Sequence, residues 1–290
     1  MNSVNKIILP IILALISSLS MVQGETRIMP LGDSITCDTY HVDDRPKSKK
    51  SGYRNYLWYK LRDISYSGNF IGSVTTGSAI KPSFDGDNEG HPGWTSYEIT
   101  ESVYHFLAMN PPDVILLHIG TNDWDRSPDG VEQILDEIDR FENDNGMNIK
   151  VILARIINRS HHSSLISDFN DNIGQMARQR MNNGDNIKII DMENGAGLDY
   201  RSDLSDGTHP NDCGYEKMAN VWFKALTGKA SPGLKYANCD GKYPEEKIRD
   251  ALNTYPEALV PRENIISIEV DVEKKTVVFT ASIPESGITF

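Results

Sequence analysis

From residue 27 the chain alternates short apolar runs with longer stretches in which apolar residues recur every three or four positions. Residues 27–31 (RIMPL), ending in Gly32, read as a strand, and residues 69–74 (NFIGSV) as a second. Residues 113–119 (DVILLHI) are apolar almost throughout, the mark of a strand buried on both faces. Residues 150–157 and 187–191 supply two more. Helical spacing places Tyr53, Tyr56, Leu57, Lys60 and Leu61 on one face. Four further sets begin at Ile99, at Val131 (with Pro128 and Asp129 as the start signal), at Phe169 and at Tyr215. Strands alternating with helices predict parallel βαβ units with helices on both faces of the sheet. Ligands in such sheets sit at the carboxyl ends of the strands. Near Gly228 the pattern changes: residues 231–233 (SPG) open a linker, and residues 265–272 and 276–280 flank Glu273, Lys274 and Lys275 as a hairpin signal. Three segments are therefore expected: a leader over 1–24, an α/β domain over 25–228 and a β-containing extension over 229–290.

Charge and composition narrow the function. The 290 residues are 39% hydrophobic and 24% charged, enough for a packed core. Lys and Arg number 29 against 41 Asp and Glu, a net charge of −12 that argues against binding nucleic acid through its phosphates. The one basic run, residues 45–50, reads as a solvated loop. At the N-terminus Lys6 precedes an apolar run over residues 7–16, followed by serines and by Gly24. That is the layout of a secretory leader, too interrupted by Pro10 for a bilayer span, so a secreted protein without stable membrane association is expected. Asn158 opens a glycosylation sequon with Ser160. Cys37, Cys213 and Cys239 lack metal or redox spacing. Cys213 and Cys239 can pair, although the sequence leaves the pairing open.

Three polar clusters follow predicted strands. Gly32-Asp33-Ser34 places a hydroxyl at a sharp turn, where a helix cap is the simpler role. Gly120-Thr121-Asn122-Asp123 follows the most apolar strand, where an Asn side-chain amide can meet an anionic oxygen or form an Asx turn. Asp206-Gly207-Thr208-His209 sets a carboxylate three residues before an imidazole, able to bend back onto Nδ1. Each is weak alone. Together they supply a nucleophile, an oxyanion donor and a base with its orienting acid.

In these blocks the sequence resembles the SGNH (GDSL-type) hydrolases over residues 27–226. Residues 90–95 (GHPGWT) resemble the family 3 carbohydrate esterases, acetyl xylan esterases among them. The resemblance implies a three-layer α/β/α sandwich with a central five-stranded parallel sheet. It implies Ser34, His209 and Asp206 as the catalytic triad, and an oxyanion hole from the Ser34 and glycine backbone N–H groups and the Asn122 amide. Gly72 and Gly93 both compete for the glycine; Gly93 is preferred because it precedes a helical stretch, whereas Gly72 falls within a predicted strand. No cofactor or metal is implied. The implied substrate is an acetylated polysaccharide or oligosaccharide such as xylan, with His91, Trp94 and Trp124 as candidate substrate-binding residues. A lipase or aryl esterase on the same fold is the enzymatic alternative, and an inactive carbohydrate-binding wall protein the other.

The remaining candidates read as structural. Asp33 stabilises its turn, Cys37 lacks its own His or Asn signature, and His118 is a core histidine. His161 and His162 belong to a surface loop, the acidic stretch 85–89 to a solvated turn rather than a calcium site, and Asp168, Asn170 and Asn172 lack the glycine of an EF-hand. GxSxG, HExxH, Walker and GxGxxG motifs are absent from the sequence.

Overall fold

A computed structural model describes residues 24–39 and 43–239 in full, and the backbone of residues 265–271 and 276–281. The expected leader, Gly24 apart, lies outside the described residues. The sheet contains β1 (Thr26–Gly32), β2 (Gly68–Phe70), β3 (Val74–Thr75), β4 (Asp87–Gly90), β5 (Val114–His118), β6 (Lys150–Arg155) and β7 (Ile187–Asp191), in the order β3-β4-β1-β5-β6-β7 with β2 also on β1. β2 pairs with the first residues of β1 and β4 with its last, so the two share one flank. The result is five parallel lanes, with β3 antiparallel at the edge. The chain leaves β1 for one side of the sheet and later crosses to β5 on the other. The carboxyl end of β1 is thus a switch point, where such sheets open a crevice.

The helices are α1 (Ser34–Cys37), α2 (Arg54–Asp63), α3 (Ser96–Met109), α4 (Asp129–Asn145), α5 (Ser164–Asn183) and α6 (Asp212–Thr227). Because strand side chains alternate, the sheet feeds two cores. Met29, Leu31, Ile115, Leu117 and Leu153 pack with α3, α4 and α5, while Ile28, Leu116, Ile152 and Ala154 pack with α2 and α6. All five residues of β5 are buried, as its unbroken apolar run requires. Local chemistry sets the helix ends: Thr95 and Glu98 form a capping box on α3, and Gly146 ends α4 at φ 64°.

Polar strands escaped the hydrophobic pattern. Residues 69–74, expected as one strand, divide into β2 and β3 around Gly72. The stretch 85–89, expected as a solvated turn, leads into β4, where Asn88 and Glu89 are fully buried. Asn88 Nδ2 donates to the Val74 and Gly86 carbonyls (both 3.1 Å). Glu89 accepts from Ser73 N–H at 2.7 Å and Ser73 Oγ at 2.6 Å. The basic run is only partly solvated: Arg45 pairs with Asp38 and Asp43, and buried Lys50 pairs with Asp43.

Past α6 the chain stays on the domain to residue 239, the end of the second described block. Glu216 and Lys60, both fully buried, pair at 2.6 Å, and Lys60 Nζ also donates to Gly233 O. Glu216 further accepts the N–H groups of Lys235, Tyr236 and Ala237. A Cys213–Cys239 disulfide closes the same seam. The backbone of β8 (Ile265–Asp271) and β9 (Thr276–Ala281) forms an antiparallel pair. Among the described residues no helix is long and apolar enough to cross a membrane.

Candidate active site

β1 approaches β5 so closely at Gly32 that a Cβ there would lie 2.1 Å from the His118 carbonyl oxygen. Only glycine permits that contact. Asp33 then caps α1, its Oδ1 accepting from Ile35 N–H at 2.9 Å, and the turn brings Ser34 to the carboxyl end of the sheet. Burial pushes the Asp33 carboxyl up to about 6, against the pull of the Ile35 N–H. Cys37, three residues on, is buried, and burial pushes its thiol up to about 11, so a thiolate there is disfavoured.

The second part comes from the loop before α6. Ser34 Oγ lies 2.8 Å from His209 Nε2, and His209 Nδ1 lies 2.8 Å from Asp206 Oδ2. The other Asp206 oxygen accepts from the Thr208 and His209 N–H groups at 3.0 and 2.8 Å. Burial pushes Asp206 up, but these N–H donors and the imidazole outweigh it and hold the carboxylate below its ordinary range. The bend needs Gly207 at φ 86°, in the left-handed region, where a Cβ would also press on Ser160 Oγ at 2.7 Å.

The third part is a pair of loops beside the nucleophile turn. His91 N–H donates to Gly32 O at 2.9 Å, which fixes the 91–94 turn against the end of β1. Gly93 holds φ 82° in that turn, and a side chain there would meet only open space. Asn122 Nδ2 donates to Trp94 O at 2.9 Å, joining this turn to the 120–123 loop. Asp123 strengthens the joint by accepting from Ser96 N–H and Oγ at the start of α3 (2.8 and 2.5 Å). Burial raises the Asp123 carboxyl, opposed by those Ser96 donors. Gly72 belongs to no strand; a Cβ on it would lie 2.1 Å from Asn88 O, so it packs against β4.

His91 and Trp94 are half-buried and stacked on one another. The His91 ring is stacked against both Trp94 (centroids 4.2 Å) and Phe106 (4.8 Å), and its Nε2 lies 2.7 Å from buried Glu89. These contacts hold both rings in the 91–94 turn. Trp124, by contrast, is exposed. Sequence reasoning missed Glu89, whose acidic neighbourhood suggested solvent. It also missed the support under the acid–base loop. Asn158 is only 1% exposed, and its Nδ2 donates to Ser163 O, Ser167 Oγ and Glu193 Oε1. A sequon whose acceptor nitrogen is so engaged is closed to a glycan in the folded chain. Ser160, two residues on, donates its N–H to Gly207 O at 2.9 Å. His118 is fully buried, accepts from Ile157 N–H at 3.3 Å, and burial pushes it down to about 4, so it stays neutral. His161 and His162 are exposed, and Asp168 pairs with Arg126 while Asn170 is buried against Ile156 and Glu193.

A profile of the GDSL-like Lipase/Acylhydrolase family matches residues 28–222, and the chain belongs to that family. Its fold is the SGNH hydrolase fold. The multidomain esterase of Ruminococcus flavefaciens is 31% identical over 249 residues, 74% of this chain and 30% of that one. A putative endoglucanase X of Acetivibrio thermocellus is 26% identical over 147 residues, 47% of this chain and 62% of that one. The chain thus spans less than two thirds of either relative. Among solved structures, a Clostridium thermocellum family 3 carbohydrate esterase aligns with a TM-score of 0.59 at 29% identity, covering 69% of this chain and 94% of that one. A carbohydrate esterase family 3 protein from Talaromyces cellulolyticus aligns at 0.58 and 26%, covering 69% and 96%.

Proposed function

We propose that the chain is an exported serine esterase that removes acetyl groups from plant cell-wall polysaccharide, with acetylated xylan as the preferred substrate. The observation that carries the reading is the Ser34–His209–Asp206 chain, with both links at 2.8 Å. His209 Nε2 takes the Ser34 proton as Oγ attacks the ester carbonyl. Asp206 holds the Nδ1 proton and favours the imidazolium that forms. Negative charge develops on the carbonyl oxygen and is met by the N–H groups of Ser34 and Gly93 and by the Asn122 amide. His209 then protonates the leaving sugar oxygen, and an acetyl-serine remains. Water, deprotonated by His209, releases acetate and restores Ser34.

The family 3 carbohydrate esterases among the structural relatives support a carbohydrate ester, and the leader-like N-terminus supports export. Residues 90–95, which resemble the acetyl xylan esterases, support xylan. The test is p-nitrophenyl acetate hydrolysis by the wild-type chain and by Ser34→Ala. A fall of about 10⁴-fold or more in kcat, with the unfolding midpoint retained, is expected. Equal rates for the two proteins would sink the reading. Acetate release from acetylated xylan should exceed release from acetylated chitin oligomers and pectin; the reverse order would replace the substrate while leaving the chemistry.

A further inference from the structure

The esterase reading leaves one exposed aromatic unexplained. Trp124 follows the 120–123 loop with its backbone at φ 54°, in the left-handed region that bulky side chains adopt only at an energetic cost. The other described non-glycine residues with positive φ, Asp38 and Ser65, carry short polar side chains, which tolerate it better. Trp124 is also 68% exposed, so the fold gains little packing in return. Its indole is nevertheless held. The Arg159 guanidinium carbon lies 4.2 Å from the ring centroid, and Arg159 Nη2 donates to Thr121 O at 3.1 Å. One face of the indole rests on a cation and the other meets solvent.

The position is informative. Thr121 precedes Asn122, and Arg159 precedes Ser160, which is bonded to Gly207 in the acid–base loop. Arg159 also lies within the field of Asp206. Trp124 therefore stands beside the crevice, between the candidate oxyanion segment and the loop that carries the base. Its sequence neighbours Asp125 and Arg126 are polar and exposed. An acyl chain would want a broad apolar surface. A single flat ring with charged neighbours instead suits a pyranose, which offers an apolar C–H face and polar edges.

We infer that Trp124 and Arg159 form a saccharide subsite: the open indole face stacks a pyranose ring next to the acetylated residue, and Arg159 is the positioning residue that holds the indole in place. The inference rests on the carbohydrate esterase reading and adds the element that prefers a sugar chain to a small ester.

The experiment compares wild type, Trp124→Asn, Trp124→Phe and Arg159→Gln on p-nitrophenyl acetate and on acetylated xylo-oligosaccharides, with thermal unfolding of each. An inert wild type would end the esterase reading irrespective of Trp124. With an active wild type, Trp124→Asn should raise KM for the oligosaccharide roughly tenfold and leave p-nitrophenyl acetate within about twofold. Asn tolerates a left-handed backbone, so its unfolding temperature should not fall. Trp124→Phe should recover most of the oligosaccharide affinity, and Arg159→Gln should lose part of it. The subsite is refuted by an unchanged oligosaccharide KM in Trp124→Asn, by equal losses on both substrates, or by a lowered unfolding temperature.

Discussion

Two buried carboxylates, one beside the nucleophile and one under the tail, are treated in opposite ways. Glu216 is saturated: Lys60 supplies an ammonium, and three backbone N–H groups of residues 235–237 fill its remaining lone pairs. Asp33 is buried as deeply, yet Oδ1 has one well-formed bond, from Ile35, and Oδ2 has none of comparable geometry. The first arrangement fits an anchor, where every polar group must be met once water is removed. The second leaves beside a serine a carboxyl that burial pushes up to about 6, against the pull of the Ile35 N–H and of Thr121. The domain thus concentrates polar satisfaction at the α2–α6 seam and tolerates a shortfall at the end of β1.

Breaking the satisfied side should cost most. Lys60→Met leaves Glu216 buried without its counter-charge, and a loss of about 3–5 kcal/mol is expected in urea unfolding. Hydrolysis of p-nitrophenyl acetate per folded molecule should be unchanged, because the seam lies away from Ser34. A stability loss under about 1 kcal/mol would show that the three N–H groups suffice. On the catalytic side, Asn122→Ala removes both the tie to Trp94 and the proposed oxyanion donor. A fall of about 10²- to 10³-fold in kcat is expected, with KM much less affected. A loss confined to KM would mean that the amide only positions the 91–94 turn.

The smallest effect concerns Asp33 and is read from pH. Its folded value lies above the ordinary 3.8, so the native state holds a proton that the unfolded chain has already released. Stability should therefore fall as pH rises from about 4 to about 6, by up to ~3 kcal/mol for a shift of roughly two pH units. Asp33→Asn keeps an oxygen for the Ile35 cap and cannot ionise. Its stability advantage over wild type should be absent near pH 4 and reach its plateau above pH 6, measured by urea unfolding across that range. A constant difference at all pH values would show that Asp33 does not titrate in this window.

The sequence by itself determined the parallel α/β plan, because strands such as β5 are apolar throughout and α2 to α6 carry their apolar residues at helical spacing. It also exposed Ser34, Asn122, Asp206 and His209, since each lies in a short block with a glycine where the chain must turn. Tertiary structure alone decided what depends on partners distant in the chain. The strand β4 and the buried Glu89 were illegible, because a polar strand shows no apolar alternation and its burial depends on Ser73 and His91. The half-burial of His91 and Trp94 was illegible for the same reason: stacking on Phe106 cannot be read from residues 90–95. Residues 235–237 looked like linker until Glu216 met their N–H groups. Local pattern reports which face of an element is apolar; only the assembled fold decides whether a polar group finds the partner that lets it be buried.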